Sequence, residues 1–171
     1  LGLSALPTDH PLNMGMLGMH GTKGSNLGIY GCDLLIALGT RFSDRVAGNK
    51  QDFARQAKIL QIDVDPAEIN KNILVDASVS GDLKVVLEYL LPKVAEKKND
   101  EWLAEMAAKK KLTSDKVSTK TLNGPAIIRE IYKATKGDAI ICTDVGQHQM
   151  WAAQYYGFKE PRRLITSGGL G

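Results

Sequence analysis

Several short stretches of this sequence combine residue types that can hold a phosphorylated or carboxylated ligand. Residues 18–26, GMHGTKGSN, space Gly18, Gly21 and Gly24 three apart around Thr22, Lys23 and Ser25. Glycine has no side chain, so backbone N–H groups along such a bend stay open to an anion or a flat ring. An ordinary turn has the same composition. The spacing is not a P-loop, because Lys23 precedes a glycine instead of following one, and it lacks the tight first pair of G-x-G-x-x-G. Residues 39–45, GTRFSDR, follow an apolar run. Arg41 and Arg45 can each offer a planar fork of donors to a diphosphate or a carboxylate, with Asp44 placed to orient either one. A surface loop with a local ion pair is the plainer alternative. In QIDVDP, Asp63 can accept from ribose hydroxyls, whereas Asp65 before Pro66 reads as a turn former. Asp82, after VSG, reads as a ligand group or as the N-cap of the next helix.

The elements that must position these groups follow from hydrophobic pattern. CDLLIALG (residues 32–39) and AKILQIDVD (57–65) are apolar runs bounded by Gly, Asp or Pro, as expected of parallel strands covered on both faces. DASVSGD (76–82) is a weaker third strand, and LKVVLEYLLPKV then places Leu83, Val86, Leu87, Leu90 and Leu91 at helical spacing. Residues 95–123 turn polar and lysine-rich and read as a linker, with one exposed helix whose apolar stripe is Trp102, Leu103 and Met106. Pro125 restarts order at a first-turn position, with Ile127, Ile128 and Ile131 on one face. DAIICTDVG (138–146) reads as another buried strand, and GQHQMWAAQYY as a helix with Trp151, Tyr155 and Tyr156 inward and His148 at its start. Strand ends bearing donors and carboxylates side by side argue for a nucleotide-like ligand at a sheet edge.

Composition narrows the field. A surplus of +3, from Lys+Arg 22 against Asp+Glu 19, is too small to imply nucleic acid or a membrane surface. Lys97, Lys98 and Lys109 to Lys111 read as a solvated face. Cys32 and Cys142 lie far apart without a partner at metal-ligand spacing, and are expected to be buried thiols in a reducing compartment. No apolar run has the length of a membrane span. Leu1 in place of an initiator Met, and SGGLG at the other end, suggest a piece of something longer.

Taken together, GMLGMHGTKGSNLGIYGCDLLIALGTRFSDRVAGN, QIDVDPAEINKN, VSGD, TDVGQHQMWAAQYY and PRRLITSGGLG resemble the catalytic large subunit of acetolactate synthase, of the anabolic type that carries FAD. The resemblance covers nearly the whole chain, and GMHGT, RFSDR and VGQHQMWAAQYY in that order are its most specific parts. It implies an α/β fold: a Rossmann-like parallel sheet in residues 1–94, a central FAD-binding domain lacking its first units, then a linker over 95–123 and the first β-α units of a thiamine-diphosphate domain over 124–171. It also implies FAD contacts at Leu17, Gly18, Met19 and His20, at Gly39, Thr40, Arg41, Phe42 and Ser43, at Asp63 and Val64, and at Asp82 and Leu83. Asp44 and Arg45 match positions that line the channel to the active site and contact inhibitors. Gln147, His148 and Gly171 match thiamine-diphosphate contacts. Where most members have Asp, this chain has Ser43, one charge fewer beside Arg45.

The implied activity joins the two-carbon unit left after pyruvate decarboxylation to a second 2-keto acid, pyruvate or 2-ketobutyrate, in the synthesis of valine, leucine and isoleucine. The implied cofactors are thiamine diphosphate, FAD and Mg2+; the implied assembly is a cytoplasmic homodimer or tetramer with a regulatory small subunit, without nucleic acid or membrane. The activating glutamate and the Mg2+-binding GDG segment are expected outside these residues, so the 171-residue chain is expected to be inactive alone, with no catalytic or metal-ligating residue of its own. The competing expectation is a nucleotide-binding α/β module, transhydrogenase-like or sirtuin-like, without thiamine chemistry.

Overall fold

The computed structural model describes residues 2–112, 117 and 121–169, which fall into two compact units: Asn26–Glu105, and Leu1–Ser25 together with Met106–Gly171. Five strands and six α-helices are defined among the described residues.

The unit built on residues 26–105 contains a three-stranded parallel sheet in the order β1 (Leu34–Leu38), β2 (Lys58–Asp63), β3 (Ala77–Ser80). Leu34 pairs with Lys58 and Leu38 with Ile62; Leu60 pairs with Ala77 and Asp63 with Ser80. The middle strand is the deepest, with Ile59, Gln61 and Ile62 buried, because it alone has a hydrogen-bonded neighbour on each side. Helix α1 (Lys23–Gly31) leads into β1, and Gln56 Nε2 donates to the Ile29 and Cys32 carbonyls at its end, both at 2.9 Å. The short α2 (Asp44–Ala47) follows β1. Helix α3 (Leu83–Leu90) lies against β2 with Leu83, Val86, Leu87 and Leu90 half-buried, and Asp82 caps it by accepting from the Val85 N–H at 3.1 Å. Leu91 sits past the last turn and is exposed, where the apolar spacing had extended the helix through it. Residues 42 and 53 pack edge to face, ring centroids 5.7 Å apart, beneath the loop after β1. The lysine-rich α4 (Asp100–Lys111) buries no residue.

In the unit holding the two chain ends, α5 (Gly124–Thr135) starts at Asn123, whose side chain accepts from the Ala126 N–H at 2.9 Å, and has Pro125 in its first turn. It packs on α6 (Gln147–Tyr155); a Cβ at Gly124 would lie 2.1 Å from the Trp151 ring, so only glycine lets the helices meet there. Strands β4 (Ile141–Thr143) and β5 (Leu164–Thr166) pair in parallel. Tyr132, Tyr156 and Phe158 form the aromatic core, with centroids 5.4 and 5.1 Å apart, and the Tyr156 hydroxyl meets Thr135 Oγ1 at 2.9 Å. The N-terminal segment joins this core through Thr8, whose N–H donates to the Phe158 carbonyl and whose Oγ1 accepts from the Phe158 N–H.

Three expectations are corrected. The strands are not covered on both faces: Leu34, Ile36 and Leu38 on one side of β1 are about half exposed, and every residue of β3 is exposed. The cause is layer count, since a face of these strands meets no second layer of described residues. The strand in residues 138–146 is likewise not buried, with Ile140 exposed and Cys142 exposed; Cys32 is the buried thiol of the pair. Ile127 and Ile131 share a face of α5, as their spacing predicts, and that face is partly exposed.

Candidate functional site

Within the three-stranded unit, parallel strands end side by side, and each end carries residues singled out by sequence. Gly39, at φ +59, turns the chain as β1 ends, and its N–H donates to the Ile62 carbonyl at 2.8 Å. β2 ends in Asp63, whose carbonyl accepts from the Gly81 N–H at 2.9 Å, so the β3 end and Asp82 lie alongside. Gly39, Thr40, Arg41 and Ser43, then Asp63 and Val64, then Asp82 and Leu83 are therefore gathered along one sheet edge. This is the carboxyl edge, where open α/β sheets place ligands.

The side chains there have different freedoms. Arg41 and Arg45 are exposed, and neither guanidinium has a hydrogen bond or ion pair among the described residues. Asp44, the first residue of α2, accepts from the Arg45 backbone N–H at 2.9 Å and makes no ion pair with either arginine, so it does not orient a guanidinium. Asp63 accepts from the Asp65 N–H at 3.0 Å, which still leaves it acceptor capacity, and Asp65 accepts from the Ala67 N–H as the turn former it was read to be. Asp82 is committed to its cap. Phe42 is at φ +49 with its ring in the core, so it anchors the loop and is not open to stacking on a ligand. Val64 is exposed and Leu83, the first residue of α3, is half-buried.

A polar cavity of about 340 Å³ opens beside this loop, lined by Arg41, Ser43, Asp44, Lys50, Glu68, Lys71 and Asn72. Sequence reasoning missed Lys50, Glu68, Lys71 and Asn72; for the last three the signal was the polar run EINKN after the second strand. Asn72 Nδ2 donates to the Arg41 carbonyl and Lys50 Nζ to Asn72 Oδ1, both at 2.8 Å, which fixes the arginine loop to the turn after β2. Gln61, fully buried, donates to the carbonyls of Thr40 (3.1 Å) and Glu68 (3.3 Å) and so ties the same two loops from below. Gln61 Oε1 and Glu68 Oε2 are buried without a partner among the described residues. Three cations and two carboxylates, with Lys71 paired to Glu68 Oε1 at 2.5 Å, suit a ligand that brings both anionic oxygens and hydroxyl donors, as a ribose-bearing diphosphate does.

The glycine-bearing bend belongs to the other unit. Gly18 is buried at φ +96 and accepts from the Gly21 N–H. A Cβ on Gly21 would stand 2.4 Å from the Met16 carbonyl oxygen, so this glycine serves the bend's own packing. Thr22 Oγ1 accepts from the Ser25 N–H and donates to the Met14 carbonyl, starting α1. Gly24 is buried inside that helix. Met19 is 72% exposed, Leu17 and His20 half-buried. In the same unit Gln147 and His148 are exposed at the start of α6, after Gly146 at φ +148. Beside them Gln149 Nε2 donates to Thr166 Oγ1 and the Gly168 carbonyl, both at 2.8 Å, closing the turn after β5. Gly171 lies outside the described residues. Among the described residues no three His, Cys, Asp or Glu side chains cluster as metal ligands, and no helix is long and apolar enough to cross a membrane.

Comparison with known proteins places the chain in a family. The family model of the thiamine pyrophosphate enzyme central domain matches residues 1–90, and that of the C-terminal TPP binding domain matches residues 144–171. Over its whole length the chain is 42% identical to a probable acetolactate synthase large subunit of Methanocaldococcus jannaschii, 46% to the chloroplastic acetolactate synthase 1 of Nicotiana tabacum, and 38% to the acetolactate synthase isozyme 3 large subunit of Escherichia coli. It spans 31%, 27% and 31% of those proteins respectively. By sequence, by domain order and by its parallel α/β architecture, this chain belongs to the thiamine pyrophosphate enzyme family, among relatives that are acetolactate synthase large subunits.

Proposed function

We propose that this sequence is part of the catalytic large subunit of an acetolactate synthase, which decarboxylates pyruvate and joins the remaining two-carbon unit to a second 2-keto acid. Identity of 38% to 46% along the entire chain to acetolactate synthases carries this reading. In it, residues 1–94 bind FAD, 95–123 link, and 124–171 begin the thiamine-diphosphate domain. The carboxyl edge of the three-stranded sheet takes the flavin dinucleotide: Arg41 donates to its phosphates, Asp63 accepts from a ribose hydroxyl, and Gly39 and Thr40 offer backbone. Lys50 adds positive charge at the cavity rim, while Lys71 is paired with Glu68. Leu17, Gly18, Met19 and His20 supply a second set of flavin contacts, and Asp44 and Arg45 face the substrate channel.

Gln147, His148 and Gly171 take thiamine diphosphate, which supplies the electron sink for decarboxylation and carbon–carbon bond formation. Mg2+ ligands are expected from residues outside this sequence, and the 171-residue chain alone is expected to make no acetolactate. The words "large subunit" in relatives' names favour a regulatory small-subunit partner. A cytoplasmic homodimer or tetramer completes the reading.

Titration of the purified chain with FAD, followed by flavin fluorescence, tests it. Saturable quenching that NAD does not reverse, and that Arg41→Ala weakens about tenfold through loss of a charge-assisted pair, supports the reading. Displacement by NAD overturns it, whereas acetolactate formation by the isolated chain would overturn only the expectation that these residues are inactive alone.

A further inference from the structure

We propose that Gln154 is a positioning residue that fastens the glycine-bearing bend to helix α6. Its side-chain Nε2 donates to the His20 carbonyl at 2.7 Å, across 134 positions of sequence. Other bonds of the bend shape it from within, among them Gly21 N–H to the Gly18 carbonyl, Thr22 N–H to the Met16 carbonyl and Thr22 Oγ1 to the Met14 carbonyl. The Thr8 and Phe158 pair, and Lys110 Nζ donating to the His10 carbonyl at 3.1 Å, attach the segment before the bend. Gln154 attaches the bend itself, at the residue beside exposed Met19.

The helix that carries Gln154 starts at Gln147 and His148, seven residues and ~10 Å earlier along its axis. Five residues before Gln154, Gln149 closes the Thr166 to Gly168 turn. One nine-residue helix therefore holds the bend near its end and the strand-end turn near its start. The functional half of the inference rests on the reading given above: if the bend faces flavin and the helix start faces thiamine diphosphate, α6 keeps both sets of contacts as one body. Gln154 touches neither cofactor in this reading; it acts through the His20 backbone.

The test uses the full-length subunit with Gln154→Leu, which cannot donate; Gln154→Glu, which is solvated but cannot donate; and Gln154→Lys, which donates again with similar reach. Hydrogen exchange of peptides covering residues 16–22 and the rate of FAD release are read together, with thiamine diphosphate affinity in the presence of Mg2+ as a third measurement. Both non-donating variants should exchange the Gly21 and Thr22 amides about fivefold faster and release flavin faster by a similar factor, the weight of one ordinary hydrogen bond. Thiamine diphosphate affinity should stay within twofold, and Gln154→Lys should restore exchange and release. Unchanged exchange and release in both Leu and Glu variants overturn the proposal. A wild-type subunit that holds no flavin overturns the flavin reading and the functional half with it, while the exchange of residues 16–22 still decides whether Gln154 fastens the bend.

Discussion

Gly21→Ala should loosen the glycine-bearing bend at a cost that can be worked out from the contacts around it. The new methyl carbon would stand 2.4 Å from the Met16 carbonyl oxygen, 2.6 Å from the Leu17 carbonyl carbon and 2.8 Å from the Gly18 nitrogen. All three are backbone atoms, so no side chain can swing aside. Relief requires a shift of the Met16 carbonyl by ~1 Å, the gap between these contacts and ordinary van der Waals separation. That carbonyl accepts from the Thr22 N–H at 2.8 Å and from the Ser25 hydroxyl. Weakening two hydrogen bonds costs ~2 kcal/mol, before any overpacking strain. In a chain of this size ~2 kcal/mol lowers Tm by roughly 4–8 °C. Thermal unfolding by circular dichroism measures it, with Gly2→Ala as the control, because a Cβ there meets nothing within 4 Å. A Gly21→Ala chain that melts within 1 °C of wild type would refute the claim that this glycine is required by the bend's self-packing.

Two further outcomes concern stability. Asn123→Ala removes the acceptor for the Ala126 N–H and should destabilise α5 by ~1 kcal/mol, measured by urea denaturation; an unchanged midpoint would count against the cap. Lys58, at 2.8 Å, together with the Ile59 N–H, holds the Asp76 carboxyl below the usual carboxylate range, and Asp76 in turn raises Lys58. Asp76 therefore adds stability that is present above the ordinary carboxyl pKa of about 3.9 and fades as pH falls through its lower folded value. Lys58 adds stability that is present below its ordinary pKa of about 10.4 and fades as pH rises through its higher folded value. Asp76→Asn should make Tm vary less with pH at both extremes, and the effect should be small because the pair is exposed. An acid limb as steep as wild type would exclude Asp76 as a contributor.

Much of the positioning framework was legible because local chemistry dictates it. Asp82 and Asp65 cap where their spacing says they should, Pro125 opens α5, and the apolar runs at 32–39 and 57–65 are parallel neighbours. What failed was inference about a second layer. An apolar run records a surface that favours burial, whereas coverage depends on elements distant in sequence, so Leu34, Ile36 and Cys142 could not be placed from their own segments. The strand β5 was missed because three residues between a basic turn and Ser167 give too short a run for alternation to register. The cavity residues Lys50 and Asn72 were missed for a topological reason. They lie 22 positions apart and become neighbours when β1 and β2 pair, which no local spacing announces.

Gln61 has a consequence for how the sheet finds its alignment. A slip of β2 by one position would turn this amide to the opposite face and send Ile62 or Leu60 in beneath the two loops, leaving the Thr40 and Glu68 carbonyls with a hydrocarbon below them. A misaligned sheet would thus forfeit two donors at once, whereas an all-aliphatic strand would tolerate the shift. A single uncharged polar side chain in the deepest strand lets the chain tell the correct pairing from its nearest competitor.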